Sequence, residues 1–143
     1  MRKPVLLLCA SLMAVILSCS GDGDSPQVSG DTVLDSISIV GRWQSEYVQY
    51  MASENPERWT EKSSLTELKL TLYLGGGCIF VNTYGTWKLT GNVLDICVTH
   101  KDGEQVAYSL TVTEFSKSQM VFKMKDPPPA TSDMWKRYYM RRL

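Results

Sequence analysis

Histidine occurs once in the 143 residues, at position 100. One imidazole provides no set of His ligands for a metal site. Charge of one sign is also lacking, since 15 Lys and Arg face 15 Asp and Glu. That balance excludes a surface built to meet nucleic-acid phosphates. The longest apolar run, Val5 to Leu17, falls short of the roughly 18–20 residues needed to span a bilayer. Gly75-Gly76-Gly77 lacks the Lys-Ser/Thr that follows the glycines of a phosphate-binding loop, so it reads as a turn. Glu54, Glu57 and Glu61 share a segment with Arg58 and Lys62, which suits a solvated mixed-charge surface better than acid–base work. His100 adjoins an Asp-Gly hairpin tip, outside any expected cleft. The expectation is a protein that is not an enzyme and carries no metal or cofactor. An apolar content of 43% excludes a disordered chain, and the length suits one domain.

What is present begins with a leader. Arg2 and Lys3 precede the apolar run, which is the pattern of a secretory signal peptide. The run ends in Ile16-Leu17-Ser18-Cys19, which resembles the lipobox of bacterial lipoproteins. Leu17 departs from the small residue more usual there. The resemblance implies a signal over residues 1–18, cleavage before Cys19 and acylation of Cys19, which anchors the protein to a membrane. Several acyl chains on one residue hold firmly, at about 0.8 kcal/mol per buried CH₂. Residues 19–35 then read as a flexible tether carrying Asp22, Asp24, Asp31 and Asp35 and no base. Acids just after the lipidated Cys are similar to the surface-export signal of Bacteroidetes-type lipoproteins. Ser20 is not the Asp that retains enterobacterial lipoproteins at the inner membrane. Both features imply the outer membrane, facing either the periplasm or the cell surface.

From residue 36 onward the hydrophobic period is two. Leu68, Leu70, Leu72 and Leu74 alternate with polar residues. Leu94-Ile96-Val98, Val106-Tyr108-Leu110-Val112 and Met120-Phe122-Met124 do the same. Such alternation predicts half-buried antiparallel strands. Turn signals fall at 75–77, 82–85, 90–92 and 101–104. The pattern predicts strands at about 38–50, 65–74, 78–83, 85–90, 93–99, 105–113, 119–125 and 134–142. Eight short-linked strands with one apolar face predict an all-β, up-and-down antiparallel barrel, whose closure removes exposed edges. Two connections are longer. Asn55-Pro56-Glu57 in the first predicts one turn of helix, with Asn as cap. Three consecutive prolines in residues 126–133 predict a stiff corner.

Gly41-Arg42-Trp43 opens the first strand, and the last strand ends in Arg141-Arg142. Together with the eight strands this resembles a lipocalin-like (calycin) domain of short Bacteroidetes lipoproteins, over about residues 38–143. Gly85-Thr86-Trp87-Lys88-Leu89 followed by Gly91-Asn92-Val93-Leu94 also resembles the mid-barrel hairpin of these proteins. The Thr-Asp-Tyr motif and the long C-terminal helix of larger lipocalins are missing. The resemblance implies that Gly41 and Trp43 close one barrel end, with Arg141 or its neighbour packed on the tryptophan. It also implies a small apolar or amphipathic ligand inside. The pocket residues would be Leu70, Leu72, Trp87, Ile96, Tyr108, Leu110, Met120 and Phe122, with Trp59 at the mouth. Alternation itself fits a hollow barrel and a filled one equally. The competing reading is an envelope protein-interaction module that uses the 51–64 loop and Trp59.

Cys78 and Cys97 remain in a chain read as exported, where disulfides form. With hairpins centred near Thr83 and Gly91, Cys78 would lie opposite Leu89 and Cys97 opposite Gly85, too far apart to bridge unless a bulge shifts the register. Lys136, Arg137, Arg141 and Arg142 make the last strand basic, which suits edge protection or an anionic surface near the membrane.

Overall fold

The structure is a computed structural model, and it describes residues 28–126 and 134–143. The signal, Cys19, the tether to residue 27 and most of the proline corner lie outside the described residues.

Ten strands form one antiparallel sheet: β1 (Gly41–Glu54), β2 (Glu57–Trp59), β3 (Ser63–Ser64), β4 (Lys69–Leu72), β5 (Gly77–Phe80), β6 (Thr83–Thr90), β7 (Val93–Thr99), β8 (Gln105–Phe115), β9 (Gln119–Lys125) and β10 (Trp135–Arg142). Eight of them run β10-β9-β8-β7-β6-β5-β4-β1, and β10 pairs with β1, which closes the barrel. β2 and β3 pair only with β1 and ride on it. The all-β, eight-stranded expectation therefore stands.

Period two holds around the barrel. Trp43, Leu70 and Phe80 share one register row facing inward. Ile96 faces Trp87 and Tyr108, and Phe122 faces Val112 and Tyr138. Leu70, Leu72, Ile96, Leu110, Met120 and Phe122 are all buried in this core.

Several boundaries differ from the sequence reading. Residues 36–39 form a turn, not strand. Asp35 caps it, its Oδ1 accepting from the Ser38 and Ile37 amides at 2.7 and 2.9 Å. Those bonds hold the Asp35 carboxyl below its usual range. Leu74 leaves the leucine row at the β4–β5 turn and is 74% exposed. The helical turn expected at Asn55 is absent. β1 continues to Glu54, and Asn55-Pro56 make a two-residue turn into β2. One helical turn cannot compete with a hairpin that satisfies the same backbone groups through pairing.

The β5–β6 turn falls at Val81-Asn82, earlier than the predicted 82–85. Both residues have positive φ, 50° and 61°. Two left-handed residues match the twist of a tight hairpin, but a β-branched side chain is strained there. Val81→Gly should stabilise the protein by about 1 kcal/mol, because the turn keeps its shape without that strain. An unchanged or lower urea midpoint would contradict this.

The moved turn resets the cysteine register. Cys78 faces Gly85, and Cys97 faces Thr86. Cys78 points into the core and Cys97 sits on the outer row, so they occupy opposite faces of the sheet. Both are free thiols. Burial, and then Cys97, push the Cys78 thiol above its usual value.

Candidate functional site

Antiparallel order sorts the connections between two ends. The turns at 73–76, 91–92 and 116–118 lie at the end where β1 begins and β10 stops. The excursion after β1, the 81–82 and 100–104 turns, the end of β9 and the start of β10 lie at the other.

The first end is sealed. Trp43 is 1% exposed, and its Nε1 donates to the Ile39 carbonyl at 3.0 Å. The Phe115 ring lies 6.0 Å from it. The Arg142 guanidinium lies 4.2 Å from the Trp43 ring centre. Its Nη1, Nη2 and Nε donate to the carbonyls of Val40, Ser38 and Lys117 at 2.6, 2.7 and 2.6 Å. Gly41 has φ of 146°, and a Cβ there would meet Arg142 Nη1 at 2.5 Å. Glycine thus leaves room for the guanidinium. Arg141, the arginine expected here from the sequence, is not the residue that takes this role. It lies on the outer face, with Nε 3.4 Å from Glu46 Oε1. The parity of β10 decides between them, because Tyr138, Met140 and Arg142 share the inward face.

The other end is more polar. Inward parity continues from Met120, Phe122 and Met124 to Asp126, and backwards from Met140 and Tyr138 to Lys136. Lys136 Nζ lies 2.6 Å from Asp126 Oδ2, with the two side chains 22% and 29% exposed. Tyr50 faces Lys136 across β1 and β10. Beneath this pair the lumen is filled with rings. Phe80 and Tyr108, from strands three apart, meet edge to face at 4.9 Å. Phe122 and Tyr138 meet at 5.3 Å. Burial, then Asp126, raise the Tyr108 phenol. Burial, then Asp126 and Tyr50, push Tyr138 up to about 12.

The Tyr138 shift has a sign in stability. An unfolded tyrosine ionises near 10, so above that pH the unfolded chain releases a proton that the fold still holds. Its contribution is intact below about pH 10 and is lost as pH rises through about 12. A phenolate absorbance titration should show a step near 12 that vanishes in Tyr138→Phe. A folded variant that keeps the step would assign it elsewhere.

The pocket residues read from the sequence do not gather in one hollow lumen. Trp87 is half-buried below the β4–β5 turn, its Nε1 donating to the Tyr73 carbonyl at 3.0 Å. Trp59 does not cap the mouth. It faces Met51 in the β1–β2 hairpin, and Arg137 on the outer face of β10 stacks on it at 4.3 Å. This polar end also carries a cleft of about 700 Å³ lined by residues of the 81–82 and 100–104 hairpin tips, among them Tyr84, His100, Asp102 and Glu104. His100 therefore does line a cleft, contrary to the sequence reading. Among the described residues its side chain has no hydrogen-bond partner, and no serine lines the cleft. Among the described residues no group of His, Cys, Asp and Glu is placed to hold a metal ion.

A closed eight-stranded antiparallel barrel, sealed at one end by a Gly-x-Trp tryptophan under an arginine, defines a calycin-type architecture. The family described as "lipocalin-like domain" matches residues 39–122, and the chain belongs to it. No match was found among curated proteins or among solved structures. The match runs from the Trp43 seal through Phe122, so it covers most of the barrel wall.

Proposed function

We propose that this lipocalin-like domain is the soluble part of an outer-membrane lipoprotein anchored through Cys19, and that it binds a small amphipathic molecule at its polar end. The inward-facing Asp126–Lys136 pair carries the reading. A barrel closed for stability alone would be served as well by apolar side chains at those positions, because a partly buried ion pair recovers little more than its desolvation. An ion pair above Met124, Tyr108 and Tyr138 offers a charged contact at the rim and apolar surface below it. The filled rings favour a shallow ligand over one threaded down the axis. Family membership supports a binding role over a catalytic one.

Native mass spectrometry of the processed chain with laurate as probe tests this. Bound laurate should be seen, and Lys136→Met should lower its retention about tenfold through loss of a charge-assisted contact. A bare mass with laurate, and with material extracted from the native envelope, would overturn the ligand reading. The search would then turn to an envelope protein partner, for which the β1–β2 hairpin with exposed Glu57 and Arg58 is the surface to truncate.

A further inference from the structure

The basic last strand is split by its own parity. Lys136 and Arg142 turn inward, while Arg137 turns out onto a wall shared with β9 and β1. There the cations lie on rings. Lys123 Nζ and Lys125 Nζ sit 5.5 and 5.2 Å from the centre of Trp135. Arg137 stacks on Trp59 at 4.3 Å, and Lys62 Nζ sits 4.0 Å from Tyr139 and 5.7 Å from Tyr47. Gln49 Oε1 accepts from Arg137 Nε at 3.0 Å and from the Tyr139 hydroxyl at 2.6 Å, which fixes both groups. Among the described residues, Lys62, Lys123 and Arg137 make no ion pair with a carboxylate. The β6–β7 wall differs. Its outer row sets Lys88 opposite Asp95 and is otherwise neutral, with Thr86 and Cys97.

We propose that the β9–β10–β1 wall docks on an anionic lipid surface. Rings hold the stems of Lys62, Lys123 and Arg137 flat without neutralising them, so their remaining N–H groups are available to phosphate oxygens. Tryptophan and tyrosine suit the headgroup level of a bilayer, with an apolar body and a polar tip. Charge complementarity of this kind adds roughly fivefold in partition for each basic residue near the surface. The chain before Val28 agrees with this docking. A leash from Cys19 to residue 27 reaches at most about 32 Å, so an acylated Cys19 would hold the domain close enough for this wall to reach the membrane. That last argument rests on the lipoprotein reading, whereas the chemistry of the wall does not.

The test uses residues 19–143 with Cys19→Ser, so that neither leader nor acyl group brings the protein to the lipid. Sedimentation with vesicles of phosphatidylcholine containing phosphatidylglycerol should show binding that weakens as salt rises. Pure phosphatidylcholine should bind far less. Lys62→Gln with Lys123→Gln should lower the partition about 25-fold. Lys88→Gln with Lys101→Gln, on the other side of the barrel, should leave it unchanged. Equal binding to neutral vesicles, or equal loss in both double variants, would overturn the proposal. So would binding to polyglutamate without binding to vesicles, which would point to an acidic protein instead. Metabolic labelling of Cys19 with a fatty acid tests the anchor separately, so the two failures are distinguishable.

Discussion

Arg142→Met is expected to lower the stability of the barrel by about 3 kcal/mol, whereas Arg141→Met should change it by less than about 1 kcal/mol. The two arginines are adjacent and chemically identical, so the contrast isolates geometry. Arg142 delivers three N–H groups to the carbonyls of Val40, Ser38 and Lys117, all within 2.7 Å. Removing it leaves the partly buried Val40 and Ser38 carbonyls and the exposed Lys117 carbonyl without this donor and strips the cover from Trp43. Arg141 gives up only an exposed contact with Glu46. Arg142→Lys should recover little, because an ammonium cannot reach three carbonyls spread around a planar fork. Urea midpoints of the three variants provide the measurement. Equal losses at 141 and 142 would refute the seal.

Gly85→Ala should be nearly as damaging, at about 3 kcal/mol, although it adds one methyl to a strand. A Cβ at Gly85 would lie 2.2 Å from the Cys97 carbonyl oxygen and 2.8 Å from the Val98 Cα. Both are backbone atoms of β7, so no side-chain rotation relieves the clash. Glycine within a strand marks a sharp bend, and here it lets β5, β6 and β7 curl inside the barrel wall. Gly77→Ala is the control, since a Cβ there meets nothing within 4 Å. If both variants unfold at the same urea concentration, the close approach at Gly85 has no energetic weight.

Much of the fold was legible as alternation. Leu94-Ile96-Val98 and Met120-Phe122-Met124 predicted both their strands and their inward faces, because burial on one side of a pleat demands that period. The errors came where a polar or aromatic residue has two good destinations. Trp59 suits a pocket mouth and also the face of an arginine, and only the pairing of β2 with β1 decides between them. The same holds for Arg141 and Arg142, which differ by one step of parity. The rim pair had a signal that went unused. Asp126 and Lys136 extend the even positions of two predicted strands, but the neighbouring prolines and the basic run drew both into other readings. Cys78 was misplaced because Val81-Asn82 makes an unusual tight turn, and a turn shifted by a residue or two moves every partner along the strand.

The pairing of β1 with β10 has a consequence in time. A growing chain presents Trp43 about a hundred residues before Arg142 exists. Until β10 arrives, β1 has one flank without a neighbour and the tryptophan has no arginine over it. The barrel therefore closes by joining its first long strand to its last, the slowest kind of contact to find. No shortened version lacking the end of β10 can lock, so closure of the barrel waits for its last strand.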